Sequence, residues 1–256
     1  MRLEVYSHYS FPKQWGDAPG TIPIYIDDWI TKANKKGIAI LVEPRSIYPG
    51  VYEHIKSHYN DFKYVFTHDE EILKLPNAKL LLYGTVNVGG VGKKTRAVSM
   101  ICSKKELCEG HKARKMVANA LKDKIRTLGE FDGGEWVEDL AEVYKPYKFN
   151  VAMENFSGGY YFTEKICNCF STMTVPIYYG SPQIDRFFNS RGIIIARTPE
   201  EVIQKTEDLL ARDIDVEYKK RIDAIIENYR RVQIFKDWKI LFLQNYGEML
   251  REDFKE

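Results

Sequence analysis

The sequence predicts an α/β fold made of two lobes with a ligand cleft between them. Short apolar runs alternate with helical patterns along the whole chain, which is typical of mostly parallel sheets. One segment, TVNVGGVGKK at residues 85–94, has three glycines and no sustained periodicity, which indicates a linker. A chain of 256 residues can form one large domain or two small ones that share a cleft. Because ligands of α/β sheets bind at the carboxyl ends of the strands, we expect the functional residues in strand-to-helix loops.

The individual elements follow from the pattern of apolar residues. Seven apolar runs predict buried strands, at residues 37–42, 63–66, 79–83, 96–102, 149–153, 175–179 and 192–196. Eight stretches predict helices, at residues 27–34, 51–59, 109–127, 135–144, 162–172, 199–211, 216–231 and 236–250. A capping box from Thr198 to Glu201, with Pro199 at the first helical position, marks the start of the helix at 199–211.

Composition excludes several classes of protein. The chain is 44% apolar and 29% charged with a formal net charge of +2, which excludes a disordered tail, a collagen-like repeat and a small disulfide scaffold. A near-neutral charge also disfavours binding of nucleic acid or a membrane over the whole surface. The four cysteines lack CxxC spacing, so we expect reduced, buried thiols. The N-terminus has no apolar h-region and no run of about 18 apolar residues occurs, so we expect a soluble, cytoplasmic protein.

The densest chemical signal is the segment from Tyr147 to Pro182. It is predicted to run from a strand through a glycine-containing loop into a helix, a second strand and a turn. The loop ends in Tyr161-Phe162-Thr163-Glu164-Lys165, so polar groups and unpaired backbone N–H groups gather at a helix N-terminus. Such an end suits a phosphate, because the helix dipole and the amides face the anion and Lys165 adds a full charge. The alternative is a capped helix start with a solvated Glu-Lys pair.

Three elements of this segment have a characteristic spacing. Glu154-Asn155 ends a strand, Thr163-Glu164-Lys165 follows after a seven-residue spacer, and a Val-Pro-Ile-Tyr-Tyr-Gly turn spans residues 175–180. This pattern resembles the signature of glycosyltransferase family ten, the alpha-1,3/1,4-fucosyltransferases. The resemblance runs from about residue 37 to about residue 210 and is strongest from 147 to 182.

Arg114 lies on the helix that follows the strand at 96–102, where the family places an arginine that grips the donor diphosphate. The window 93–126 holds 11 Lys and Arg against 3 Asp and Glu, which concentrates positive charge beside it. The alternative interpretation of this window is a solvated basic helix face.

Glu43 directly follows the apolar strand GIAILV and falls on the family's proposed general base. Partial burial at the end of a strand would raise the proton affinity of a carboxylate, which suits a base. The alternative is a helix or turn cap near Pro44.

The resemblance implies a GT-B-like scaffold of two Rossmann-type lobes around a donor cleft. With the linker, it predicts an N-terminal acceptor-side lobe at residues 1–90, a C-terminal donor-binding lobe at 91–235 and a C-terminal amphipathic helix at 236–256. It implies an inverting glycosyltransferase that transfers L-fucose from GDP-β-L-fucose to a hydroxyl of a glycan, in protein glycosylation or in lipopolysaccharide or glycan biosynthesis. GDP-fucose is then the donor substrate. No cofactor or metal is required, because side chains neutralise the leaving group.

The resemblance also assigns roles to residues. Glu43 is the expected general base, and Arg114 and Lys165 form the expected diphosphate clamp. The expected substrate-binding residues are Ser103, Asn155, Tyr160, Tyr161, Thr163 and Glu164. Ser103 is followed by Lys104 where family members often have Asn, which departs from the family pattern.

Several alternatives stay open. His68 is the rival base, because an unperturbed histidine titrates near neutrality. Asp213-Ile-Asp215 lies between two predicted helices, so we expect a solvated turn rather than a metal site. The function could involve a different nucleotide sugar, or a non-catalytic carbohydrate- or nucleic-acid-binding module based on residues 93–126. The expected partners are a nucleotide sugar donor and a glycan acceptor, with no nucleic acid; peripheral membrane contact and oligomeric state stay open.

Overall fold

The computed structural model describes residues 1–14 and 20–254 of the chain. This part of the chain forms ten strands: β1 (Arg2–Tyr6), β2 (Thr21–Ile26), β3 (Ile38–Ile40), β4 (Tyr64–Thr67), β5 (Ala78–Leu80), β6 (Arg96–Ile101), β7 (Arg126–Leu128), β8 (Tyr147–Met153), β9 (Val175–Tyr179) and β10 (Ile194–Ile195). It also forms eight α-helices: α1 (Pro49–His58), α2 (Glu109–Leu121), α3 (Ala141–Tyr144), α4 (Glu164–Ser171), α5 (Pro199–Leu210), α6 (Ile214–Lys219), α7 (Ile222–Arg231) and α8 (Trp238–Asp253).

The chain divides into two compact units. The first comprises Met1–Tyr83, Gly158–Tyr161 and Asp237–Glu256, and the second comprises Gly84–Ser157 and Phe162–Lys236. Helix α8, which the sequence treats as a separate C-terminal element, therefore belongs to the first unit. The predicted segments 1–90 and 236–256 include residues 15–19 and 255–256, which lie outside the described residues. The acceptor-side and donor-binding roles of the two lobes stay predictions.

The first unit is built on a parallel sheet with the strand order β1-β2-β3-β4-β5. Successive residues of β3 alternate between its two faces. Ile38 and Ile40 belong to the core cluster that contains Trp238 and Phe242 of α8. Ala39 belongs to the other cluster, which contains residues of α1. Since both faces of the strand are buried, its sequence is apolar without a polar alternation.

The second unit contains a parallel sheet with the strand order β10-β9-β8-β6-β7. All seven residues of β8, its central strand, are buried. Strands β6 and β8 are neighbours, with Met100 paired to Val151, so the chain leaves both strands at the same edge of the sheet. The segment after β6 leads into α2, and the segment after β8 leads into α4. This topology brings Arg114 and the loop that begins at Glu154 to one edge.

Some predicted elements differ from the structure. The predicted helix at 109–127 ends at Leu121, because residues 126–128 pair with β6 as strand β7. Of the predicted helix at 135–144, only the residues of α3 are helical. At the start of α3, the Asp139 side chain accepts a hydrogen bond from the amide of Ala141 at 2.8 Å. The predicted helix at 216–231 is divided into α6 and α7. Strands β1 and β2 have no counterpart in the sequence-based prediction.

Two further predictions concern the state of the cysteines and the presence of membrane-spanning helices. Cys102, Cys108, Cys167 and Cys169 are free and buried, as predicted. Among the described residues, no helix combines the length and the apolar character needed to cross a bilayer. The cytoplasmic location stays a prediction.

Candidate active site

The site in the second unit begins with Glu154, the first residue after β8. Its side chain is fully buried. One carboxylate oxygen accepts the amide N–H of Thr163 at 2.9 Å and the other accepts the Thr163 hydroxyl at 2.7 Å. Burial raises the pKa of Glu154 above its ordinary value, although Lys165 acts in the opposite direction. Glu154 therefore fixes the far end of the loop, and its role was not recognised from the sequence.

The end of β9 explains the glycine of the Val-Pro-Ile-Tyr-Tyr-Gly turn. A Cβ atom on Gly180 would lie 2.6 Å from the Cγ atom of Glu154 and 2.3 Å from the Tyr178 hydroxyl. Only glycine leaves room for the buried carboxylate at this point. The turn and the Glu154-Asn155 pair are thus parts of one packed structure.

Helix α4 begins at Glu164, two residues after the predicted start of the helix at 162–172. Thr163 is its N-cap, and the Thr163 hydroxyl accepts the amide N–H of Lys165 at 3.4 Å. The Lys165 ammonium group lies 2.9 Å from a Glu164 carboxylate oxygen and 3.5 Å from Glu154. Burial lowers the pKa of Lys165, but the two carboxylates raise it more, so the ammonium stays charged. A positive charge is thereby held at a helix N-terminus.

Arg114 of α2 reaches the other end of the same loop. Its guanidinium donates to the main-chain oxygen of Met153 at 3.0 Å and to the Asn155 side-chain oxygen. The residue is only 8% exposed. Within residues 1–14 and 20–254, no carboxylate lies within ion-pair distance of this guanidinium. Arg114 is therefore a nearly buried cation whose protein partners are neutral oxygen atoms.

Helix α2 lies very close to the loop after β8. A Cβ atom on Gly110 would lie 2.1 Å from the main-chain oxygen of Asn155. The Cys108 thiol contacts the His111 ring nitrogen Nδ1 at 3.2 Å and lies 3.8 Å from the main-chain oxygen of Asn155. Burial and the charge of Arg114 lower the pKa of His111 to about 4, so this histidine is neutral at pH 7. These contacts hold the start of α2 against the loop after β8.

Carboxylates offset part of the positive charge of the surrounding basic window. Five of its lysines form ion pairs with acidic residues: Lys104 with Glu130, Lys112 with Glu109, Lys115 with Glu106, Lys122 with Asp132, and Lys124 with Glu207. The concentration of positive charge in the sequence therefore does not become an equally strong positive surface. Arg114 differs from these lysines in both burial and partners.

Glu43 lies in the first unit, three residues after β3. Its side chain is half-buried, and one carboxylate oxygen accepts the Tyr9 hydroxyl at 3.2 Å. The Tyr52 hydroxyl donates to the Glu43 main-chain oxygen at 2.8 Å. Both the carboxylate and the main chain are thus held by hydrogen bonds, and the residue as a whole is partly exposed.

Asp27, at the end of β2, also contacts this segment. One of its carboxylate oxygens accepts the amide N–H groups of Val42 at 2.8 Å and Glu43 at 3.1 Å. Burial raises the pKa of Asp27 to about 7. Asp27 is not among the predicted site residues, because nothing in the sequence of residues 27–34 reveals which strand end lies next to them.

His68, the rival base, is fully buried after β4. Its Nε2 atom lies 3.2 Å from the Val42 main-chain oxygen, and burial lowers its pKa to about 4. An acceptor hydroxyl has no access to this ring in the structure. His68 therefore does not fit the role of a base.

The remaining predicted substrate-binding residues are Tyr160, Tyr161 and Ser103. Tyr160 and Tyr161 belong to the first unit, where the Tyr160 amide donates to the His68 main-chain oxygen at 2.9 Å and the Tyr161 ring packs 4.7 Å from the His68 ring. Ser103 lies in the segment between β6 and α2, and its main-chain oxygen accepts the Cys102 thiol at 3.6 Å. The second unit thus brings together Arg114, Asn155, Thr163, Glu164 and Lys165.

The structure accounts for the Asp-x-Asp segment without a metal. Asp213 is the N-cap of α6, where its carboxylate accepts the amides of Asp215 and Val216. Asp215 pairs with Lys148 at 3.2 Å. No group of three or more His, Cys, Asp or Glu side chains within the described part of the chain could hold a metal ion. Whether the reaction requires a metal stays a prediction.

Solved structures with similar folds are glycosyltransferases. An alpha1,3-fucosyltransferase crystallised with GDP-fucose has a TM-score of 0.56 at 16% identity, over 95% of this chain and 94% of that chain. The pneumococcal O-GlcNAc transferase GtfA in complex with UDP and GlcNAc has a TM-score of 0.58 at 11% identity, over 92% of this chain and 57% of that chain. At these identities the likeness concerns the fold alone. It confirms the predicted GT-B-like α/β class.

The sequence comparisons find a family match in the second half of the chain and the residues just before it. Residues 91–211 match the model of glycosyltransferase family 10 (fucosyltransferase) C-term. The alpha-(1,3)-fucosyltransferase FucT of Helicobacter pylori is 33% identical over 86 residues, which cover 30% of this chain and 18% of that protein. The matched region thus spans less than a fifth of this curated relative. The predicted resemblance to this fucosyltransferase family is confirmed for residues 91–211.

Proposed function

We propose that this protein transfers L-fucose from GDP-β-L-fucose to a hydroxyl group of a glycan, with inversion at the anomeric carbon. The observation that carries the proposal is Arg114, a nearly buried cation without a carboxylate partner in the described residues. A buried charge of this kind requires an anion to offset its lost hydration. Arg114 lies within residues 91–211, which match the fucosyltransferase family model. The anion that this proposal places beside Arg114 is therefore the diphosphate of a nucleotide sugar.

The residues of the second unit have complementary roles in donor binding. A guanidinium has five N–H donors, and the contacts to Met153 and Asn155 leave donors available for phosphate oxygens. Lys165 adds a point charge at the N-terminus of α4, where the helix dipole also favours an anion. Glu164 accepts hydrogen bonds from ribose or fucose hydroxyls, and Asn155 positions Arg114 while it contacts the donor.

Glu43 acts as the general base. Its carboxylate takes the proton from the acceptor hydroxyl as that oxygen forms a bond to the anomeric carbon of fucose. The bond from this carbon to the diphosphate oxygen breaks, and GDP departs with the negative charge that Arg114 and Lys165 stabilise. Tyr9, which donates to Glu43 at 3.2 Å, keeps the carboxylate oriented.

The first test measures donor binding. Arg114→Gln and Lys165→Met should each weaken GDP binding about 10- to 100-fold in calorimetric titrations, because a hydrogen bond to a charged group contributes about 1.5–3 kcal/mol. Lys112→Gln is the matched control, since Lys112 lies on the same helix but is exposed and paired with Glu109. Unchanged GDP affinity in both Arg114→Gln and Lys165→Met would contradict the clamp.

The second test measures turnover. The protein should convert glycans on an array to products heavier by one deoxyhexose when it is incubated with GDP-fucose, as detected by mass spectrometry. Glu43→Gln should slow formation of this product about 100- to 10,000-fold and retain GDP affinity, because it removes the base and leaves the donor site intact. A Glu43→Gln variant with near-wild-type turnover would refute the role of Glu43.

A different nucleotide sugar is the second candidate. The similarity in fold to a transferase that binds UDP and GlcNAc, at a TM-score of 0.58, means that the fold does not distinguish between the nucleotides. Thermal shifts with GDP, UDP and CMP sugars decide the matter, because a ligand that binds only the folded state raises its stability. The fucose proposal predicts that GDP-fucose gives the largest shift.

A further inference from the structure

The main chain of Glu43 is held by a carboxylate from the neighbouring strand. Strand β2 pairs with β3 as far as Ile26 and Ile40. Beyond this pair, Asp27 begins a 3-10 helix at Asp27–Lys32, and the main chain no longer accompanies β3. The amide of Leu41 binds the main-chain oxygen of Phe66 on β4 at 2.8 Å.

The next two amides bind the side chain of Asp27. A single carboxylate oxygen accepts both N–H groups, from Val42 at 2.8 Å and from Glu43 at 3.1 Å. The side chain thus replaces the main-chain partner that β2 would supply if it continued. Without it, two amides at a largely buried strand end would lack an acceptor, which is costly.

Two features of Asp27 are energetically unfavourable. Its φ angle is +53°, a left-handed conformation that is uncommon for residues other than glycine. Its second carboxylate oxygen is buried and has no hydrogen-bond partner among the described residues, and the residue is 3% exposed. Strain and unsatisfied polar groups of this kind concentrate at functional sites.

We propose that Asp27 is a positioning residue for Glu43: its carboxylate fixes the main chain at the end of β3 and so directs the Glu43 side chain to the acceptor hydroxyl. This inference rests on the proposed role of Glu43 as the base. Tyr52 holds the main-chain oxygen of Glu43 and Tyr9 contacts its carboxylate, so the three residues constrain Glu43 at its amide, its carbonyl and its side chain. A small displacement of a catalytic group is sufficient to slow a reaction about 100-fold.

Two substitutions distinguish the loss of the hydrogen-bond acceptor at residue 27 from a change in its backbone conformation. Asp27→Asn keeps an oxygen for the two amides, and asparagine tolerates a positive φ. Asp27→Gly also tolerates a positive φ but removes the acceptor. We expect Asp27→Gly to lower kcat about 10- to 100-fold at an unchanged KM for GDP-fucose. Asp27→Asn should keep kcat within about threefold of wild type, which is the rescue that a positioning role predicts.

The variants are also combined with Glu43→Gln. If Asp27 acts through Glu43, Asp27→Gly should cause no further loss of kcat in the Glu43→Gln background. Thermal unfolding verifies that each variant is folded. If Asp27→Gly does not fold, Asp27→Ala, which also lacks an acceptor, replaces it in the series, and a wild-type kcat in Asp27→Ala would overturn the inference.

The outcomes distinguish this inference from the proposed function. Near-wild-type turnover in Glu43→Gln refutes the base itself. A strongly lowered kcat in Glu43→Gln together with a wild-type kcat in Asp27→Gly overturns the positioning role alone. A loss of kcat in Asp27→Asn as large as in Asp27→Gly, at equal stability, also overturns it, because the acceptor oxygen is then not what matters.

Discussion

Replacement of the buried Asp27 carboxylate by an amide should change how the stability of the protein depends on pH. Burial raises the pKa of Asp27 from 3.8 to about 7, with the nearby Glu43 and Asp28 acting in the same direction. A folded-state pKa above the unfolded one means that the native carboxyl keeps its proton at pH values where the unfolded chain has lost it. Its contribution to stability is complete below about pH 3.8 and is lost as the pH rises to about 7.

The size of the effect follows from this shift. One pKa unit corresponds to about 1.36 kcal/mol, and about two units of the shift lie above pH 5. The free energy of unfolding of the wild type should therefore fall by about 2.7 kcal/mol between about pH 5 and about pH 8 through this group alone. In Asp27→Asn this contribution is absent, while the oxygen that accepts the two amides at the end of β3 remains.

Urea denaturation at a series of pH values measures the difference. All other titrating groups occur in both proteins, so the difference between the two stability curves isolates Asp27, and it should grow in favour of the variant toward alkaline pH. Asp61→Asn is the control, because it removes a carboxylate of the first unit that is exposed. Parallel curves for wild type and Asp27→Asn would refute the reasoning.

Three further substitutions test the packing around the site. Gly110→Ala would place a Cβ atom 2.1 Å from the main-chain oxygen of Asn155, so calorimetry should find GDP binding weakened about tenfold and urea unfolding a loss of about 1–3 kcal/mol. Thr163→Ala removes the α4 N-cap and the 2.7 Å hydrogen bond to Glu154, so the free energy of unfolding should fall by about 2 kcal/mol, whereas Thr163→Ser should retain most of it. Gly159→Ala forces alanine to a φ of +54° with its Cβ 2.4 Å from a main-chain oxygen, and thermal unfolding should show a loss of about 1–3 kcal/mol.

The sequence predicts those elements whose signals are local. The strand at 175–179 and the helix at 199–211 agree with β9 and α5 to within one residue, since apolar runs and capping residues act within a few positions. Strand β2 was missed because Pro23 interrupts its pattern, and β1 because its five residues include Glu4. Both strands depend on their pairing with each other, which no local signal reveals.

In the site, too, the sequence predicts the local features and not the contacts between distant residues. The residue types and spacing of the Glu154-Asn155 and Thr163-Glu164-Lys165 motifs predict the loop and the N-terminus of α4. The contact between Arg114 and Asn155 joins positions 41 residues apart, and Asp27 lies 16 residues from the amide that it binds, so both depend on strand order. The count of charges in the window 93–126 overstates the positive charge around Arg114, because it omits carboxylates that are distant in sequence. One of them is Glu207, which pairs with Lys124.

Helix α8 determines when the first unit can be completed. Its residues Trp238, Phe242 and Leu250 cover one face of the sheet that begins at β1, yet they are synthesised after the residues of the second unit. A nascent chain that has emerged only as far as Tyr83 presents Ile24, Ile40 and their neighbours without this cover. On the ribosome, the second unit can therefore mature before the first, although its residues are translated later.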